Sequence, residues 1–247
     1  HLHPRIAPCG CDHPTTPSLP SSSTPAEDTV SDSVHIFYYA WFGNPKVDGK
    51  WMHWDHQVLP HWDPLIGARH PSGRMLNPPG DIGANFYPAR GLYSTKDPMA
   101  LDGQMSEMRS AGAGVVVMSW WRKGWGSEGV ETDTATQKIL AAAERAGLKV
   151  AFHLEPYDGR SVGDVRRDVA YIVDRYATHP AFYRDTNGMP VYYCYDSYRT
   201  PPGEWADILS KHGKNTVRGT PLDGVYLGLY LSRGHEVYAT DAGGFDG

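Results

Sequence analysis

Short apolar runs recur along this chain at intervals of about 35 residues, beginning near Gly114, Lys149, Pro190 and Asp223, and helix-type patterns fill the gaps. Strands alternating with helices build right-handed βαβ units, and such units build a parallel sheet. Two architectures accept that sheet. An open doubly wound sheet is complete with this many strands, but no glycine-rich phosphate loop follows the first strand to support it. Closing an eight-strand barrel at this spacing takes roughly another 100 residues. The pattern predicts an α/β fold, a (β/α)8 TIM-barrel incomplete in this chain, with about five to six βα units. The 247 residues suffice for one core, so a single barrel domain is expected over residues 33–247. Residues 1–32, rich in Pro, Ser, Thr and His, lack apolar periodicity and read as a flexible leader or stalk.

The first strand is predicted over Val34 to Trp41, and a long loop follows to about Pro98. Asp97-Pro98 signals a helix start, Leu101, Met105 and Met108 share its apolar face, and Gly112 stops it. The next elements are a strand over Gly114 to Trp121, a helix near Asp133 to Ala146 and the strand KVAFHLE. An amphipathic helix from Val162 to Tyr176 comes next. Pro190 to Tyr198 is predicted as the fourth strand, a helix opens at Pro202, Asp223 to Leu231 forms the fifth strand, and Gly243 to Gly247 starts a sixth.

Charge and composition exclude several functions. With a net charge of -5 and no dense Lys/Arg run, the chain offers no basic face, and nucleic acid is not an expected partner. No stretch approaches the roughly 20 apolar residues that span a bilayer. Because the chain begins with His1, membrane contact is expected only through an anchor upstream of residue 1. Cys9 and Cys11 fall in the leader and Cys194 in an apolar strand, which builds neither a zinc-finger spacing nor a disulfide framework.

In βα folds the substrate-touching groups sit where the parallel strands end. Those ends carry Tyr39 and Trp41, Trp120 and Trp121, His153, Glu155 and Tyr157, and Asp196 and Tyr198. Aromatic rings stack on the C–H faces of sugars, and carboxylates grip hydroxyls or move protons to a glycosidic oxygen. Taken singly, these rings serve equally as core and Glu155 and Asp196 as salt-bridged strand ends; the composition shared by several strand ends favours a carbohydrate site. The segment Trp51 to Pro64 gathers His53, His56 and His61 with Asp55 and Asp63. Its spacing fits no helical zinc motif, so these side chains are expected to brace a long active-site loop, and no metal or cofactor is assigned. Asp81 and Asn85, in the turn-rich segment after it, are expected to cap turns or to reach ligand.

FYYAWFGNP, HWDP, NPPGDIGANFYP, the SWW strand end, FHLEPY, HPAFYR, YDSY and GFDG, in this order, resemble the endo-α-mannosidases of glycoside hydrolase family 99 over about residues 34 to 247. The resemblance implies a retaining endo-acting enzyme that cleaves internal α-1,2-mannosidic bonds of glucosylated high-mannose N-glycans without a metal. It assigns Glu155 to the sugar in the cleaved subsite and Trp121 to the neighbouring subsite, with Tyr39, Trp41, Tyr195 and Tyr198 along the same cleft. It also implies residence in the Golgi lumen or secretory pathway. The family's acid/base glutamates lie in an asparagine-glutamate-tryptophan-histidine-glutamate motif that is absent here and expected after Gly247. One of them is thought to deprotonate the sugar 2-hydroxyl and the other to protonate the leaving oxygen. These residues alone are therefore expected to be inactive, and the alternative is a non-catalytic carbohydrate-binding protein.

Overall fold

The computed structural model describes residues 29–61, 63–70, 72–122, 124 and 131–247, so residues 1–28 of the expected leader, with Cys9 and Cys11, lie outside the described residues. β1 (Ser31–Tyr39) leads into a segment that folds two one-turn helices, α1 (Pro45–Asp48) and α2 (Pro64–Gly67), where the sequence predicts loop alone. Each starts on a proline behind a capping side chain. Asn44 accepts from the Val47 amide at 3.0 Å and Asp63 from the Leu65 amide at 2.8 Å. α3 (Pro98–Ser110), β2 (Ala113–Trp120), α4 (Asp133–Arg145), β3 (Lys149–Leu154) and α5 (Val162–Tyr176) follow close to their predicted spans. Asp97 caps α3 as its sequence signal predicts, and Ser161 with Asp164 closes a capping box on α5.

The second half departs further from expectation. β4 (Val191–Cys194) ends four residues early, because Asp196 takes a left-handed backbone, φ 51°, that turns the chain into a 3-10 turn over Ser197–Arg199. After α6 (Pro202–Leu209) comes β5 (Val225–Gly228), less than half the predicted length. The expected strand start at Gly243–Gly247 is not a strand. The Asp246 amide donates to the Tyr226 carbonyl at 2.9 Å, but the Asp246 carboxylate, not a backbone carbonyl, accepts the Tyr226 amide at 2.8 Å. A side chain thus takes one ladder position, although the Gly228 amide donates to the Gly247 carbonyl at 2.8 Å, so backbone pairing with β5 begins at the last two residues. Arg218 fixes this arrangement, donating to the Gly224 and Gly244 carbonyls and to Asp246.

The five strands pair in the order β1-β2-β3-β4-β5, all parallel. A doubly wound sheet reverses its order at a switch point; this one runs straight through, as a barrel wall does. Every residue of β2 is buried, because both faces are covered. On the outer face Met118, Phe152, Tyr192 and Tyr226 meet Met105, Ile139, Ile172 and Trp205 from the helices. On the inner face Val115, Val117, Ala151, Tyr183 and Val191 form a smaller cluster towards the strand starts. β1 and β2 approach closely where Gly114 faces Ser31, whose carbonyl oxygen a Cβ at 114 would meet at 2.5 Å. Past the inner cluster, towards the strand ends, side chains give way to open space. No described helix is long and apolar enough to cross a membrane.

Candidate functional site

A cavity of about 620 Å³ opens at the strand ends, lined by Tyr39, Trp41, His53, His56, Leu59, Gly83, Trp121, His153, Glu155, Pro156 and Tyr195. Its floor is polar. Ser119 lies across the β2-β3 ladder from His153, and two residues on, Glu155 swings over the same face as its amide bonds the Trp120 carbonyl at 3.0 Å. The Ser119 hydroxyl donates to Glu155 Oε1 at 2.7 Å. His153 Nδ1 lies 3.2 Å from that oxygen without hydrogen-bond alignment, and both side chains are buried. Phe37 and Tyr195 hold the imidazole edge-on, at 5.0 and 5.1 Å between ring centres. Burial, with the Asp196 and Glu155 carboxylates nearby, raises the Tyr195 pKa above the usual tyrosine value, so its hydroxyl stays a donor.

The walls are aromatic. Trp41 is stacked between Tyr39, at 4.6 Å, and His53, at 4.4 Å, and is tilted against Trp121 at 5.5 Å. Trp121 is fixed at two points: its amide bonds Thr132 Oγ1 at 2.8 Å and its indole N–H the Pro156 carbonyl at 3.1 Å. It therefore offers ligand a ring face, not a donor. Trp41 is the reverse case, since its indole N–H is buried with no hydrogen-bond partner among the described residues. The arrangement can stack a sugar ring and bond its hydroxyls through Glu155, His153 and Tyr195.

The structure brings Tyr39, Trp41, Trp121, His153, Glu155 and Tyr195 together and places the remaining four residues elsewhere. Trp120 points to the outer face, as side chains alternate along a strand, and its indole donates to Asp133 at 3.0 Å. Beyond Pro156 the chain turns outward and Tyr157 donates to Asp168 at 3.0 Å. Asp196, turned aside by its left-handed backbone, pairs with Arg199 at 2.8 Å, while Tyr198 stacks on His235. In the histidine-rich segment His53 and His56 line the cavity, and Asp63 serves as a helix cap. Asp81 pairs with Arg74 at 2.6 Å. Among the described residues no three His, Cys, Asp or Glu side chains are grouped to hold a metal ion. Sequence reasoning missed Ser119, although its place before two tryptophans at a strand end was a usable signal. Leu59, Gly83 and Pro156 had no such signal. Gly83 is needed where it packs against the backbone carrying His53, whose carbonyl oxygen a Cβ would meet at 2.6 Å.

Residues 29–247 match the family model of glycosyl hydrolase family 99. The chain is 46% identical over 219 residues to a glycoprotein endo-alpha-1,2-mannosidase of Xenopus laevis, covering 87% of this chain and 48% of that protein. It is 43% identical over 240 residues to a glycoprotein endo-alpha-1,2-mannosidase-like protein of Danio rerio, covering 95% of this chain and 54% of the relative. Among solved structures, the GH99 endo-alpha-mannosidase from Bacteroides thetaiotaomicron superposes with a TM-score of 0.76 at 36% identity, covering 89% of this chain and 61% of that one. The chain spans about half the length of the curated relatives it matches.

Proposed function

The chain belongs to glycosyl hydrolase family 99, and from that premise we propose that its cavity grips a mannose-containing oligosaccharide of the N-glycan type for an endo-α-1,2-mannosidase reaction that retains anomeric configuration. The observation that carries this reading is that Glu155 and His153 lie side by side on the floor of a cavity walled by Trp41 and Trp121. A buried carboxylate held by Ser119 is oriented to accept hydrogen bonds from sugar hydroxyls, and the ring faces suit the C–H faces of a pyranose. The same reading assigns the protein to the Golgi lumen or secretory pathway, with glycan as partner.

Glycosidase acid/base chemistry uses two carboxyl groups, and among the described residues the cavity is lined by one, Glu155. This favours binding without turnover for these 247 residues taken alone. Calorimetric titration with a glucosylated mannose oligosaccharide, run beside a hydrolysis assay, tests both parts. We expect saturable binding, a loss of about tenfold or more in Glu155→Gln, and no released sugar. Absence of binding by the unaltered chain refutes the site; turnover by it refutes the assignment of binding alone.

A further inference from the structure

A second cavity of about 330 Å³ adjoins the first and shares His53 and His56 with it as a common wall. Its other lining comes chiefly from Lys50, Trp51, Asp55 and Gln57, between β1 and α2, and from Met75, which follows α2 and pairs with Gln57. This wall is built. Gly43 and Met52 exchange backbone hydrogen bonds at 3.0 and 3.1 Å, the Val58 amide bonds the Arg74 carbonyl at 2.9 Å, and the Gly83 amide bonds the Trp54 carbonyl at 2.7 Å. His53 sits between these anchors with a left-handed backbone, φ 62°, a conformation that costs energy outside glycine and that clusters at ligand sites. The side chains of Lys50, Asp55 and Gln57 make no hydrogen bond or ion pair among the described residues, so a cation, a carboxylate and an amide face the cavity uncommitted beside an indole and a thioether. Opposite charges in one cavity disfavour a strongly charged ligand, whereas acceptors and donors beside an apolar ring are the chemistry that recognises a neutral sugar.

We propose that this second cavity binds one further hexose of the same oligosaccharide, reached from the first cavity past His53 and His56, with Trp51 as its stacking ring and Asp55 as its hydroxyl acceptor. The proposal rests on the reading that the first cavity takes a mannose-containing oligosaccharide. The test is calorimetric titration of the protein with an α-linked mannose-containing disaccharide and with two trisaccharides that extend it by one hexose, at the reducing or the non-reducing end. One trisaccharide is expected to bind at least about fivefold more tightly than the disaccharide, and Trp51→Ala is expected to abolish that gain while leaving disaccharide affinity unchanged. A disaccharide that binds with no gain from either extension overturns the proposal, as does a gain that survives both Trp51→Ala and Asp55→Asn. Failure of the disaccharide itself to bind overturns the proposed function, and this proposal with it.

Discussion

The Ser119 hydroxyl donates to Glu155 Oε1 at 2.7 Å, so a carboxylate one residue past the end of β3 is aimed by a side chain on β2. Both residues are buried, and the imidazole beside them approaches without hydrogen-bond alignment. Ser119 is thus the group that orients Glu155 towards the cavity, a role that needs adjacent strands rather than adjacent residues.

Ser119→Ala should therefore weaken oligosaccharide binding several-fold and lower stability by about 1–2 kcal/mol, because a buried carboxylate oxygen loses its donor. Calorimetry and urea unfolding read the two effects separately. Unchanged affinity would show that Glu155 is aimed by something else.

Asp133 accepts from the Trp120 indole at 3.0 Å, the Tyr171 hydroxyl at 2.7 Å and the Tyr176 hydroxyl at 2.6 Å. Removing that single acceptor in Asp133→Ala strands these donors together and should cost about 3–5 kcal/mol in urea unfolding, with sugar affinity kept in the folded fraction. A cost below about 1 kcal/mol would contradict the view that Trp120 is held by this buried network.

Asp168 carries the pH signature of this fold. Burial pushes its carboxyl up to about 6 from an ordinary 3.8, against the Tyr157 hydroxyl and the Arg122 and Arg160 guanidinium groups, which lower it, and with Asp164, which raises it. A folded-state pKa above the unfolded one means the native state binds the proton more tightly. The stability contributed by protonated Asp168 is thus present below about pH 4 and lost as pH rises through about 6. Asp168→Asn, which stays neutral, should become progressively more stable relative to the unaltered protein across that window. Parallel stability profiles for the two proteins would refute the assignment.

Much of the site was legible because strand ends announce themselves. KVAFHLEPY runs apolar and then stops on a carboxylate and a proline, and Glu155 lies in the cavity. The cavity's other wall was less legible. His53 and His56 read as loop braces because their reach across the strand ends depends on backbone contacts with Gly43, Arg74 and Gly83, which are distant in the chain. Tyr157, Asp196 and Tyr198 share the composition of the cavity residues and lie outside it, since composition does not record where a strand stops.

By itself the sequence determined the alternation of strands and helices, the cap at Asp97, and the apolar stripes that cover the sheet, because each follows from spacing within a few residues. Only the tertiary structure decided that Trp121 enters the cavity while Trp120 enters the core, that Ser119 holds Glu155, and that Asp246 takes a place in the ladder with its side chain. The physical reason is range: pleat and periodicity act between neighbours along the chain, whereas the direction of a buried polar group is set by whichever partner the folded sheet brings within hydrogen-bond reach.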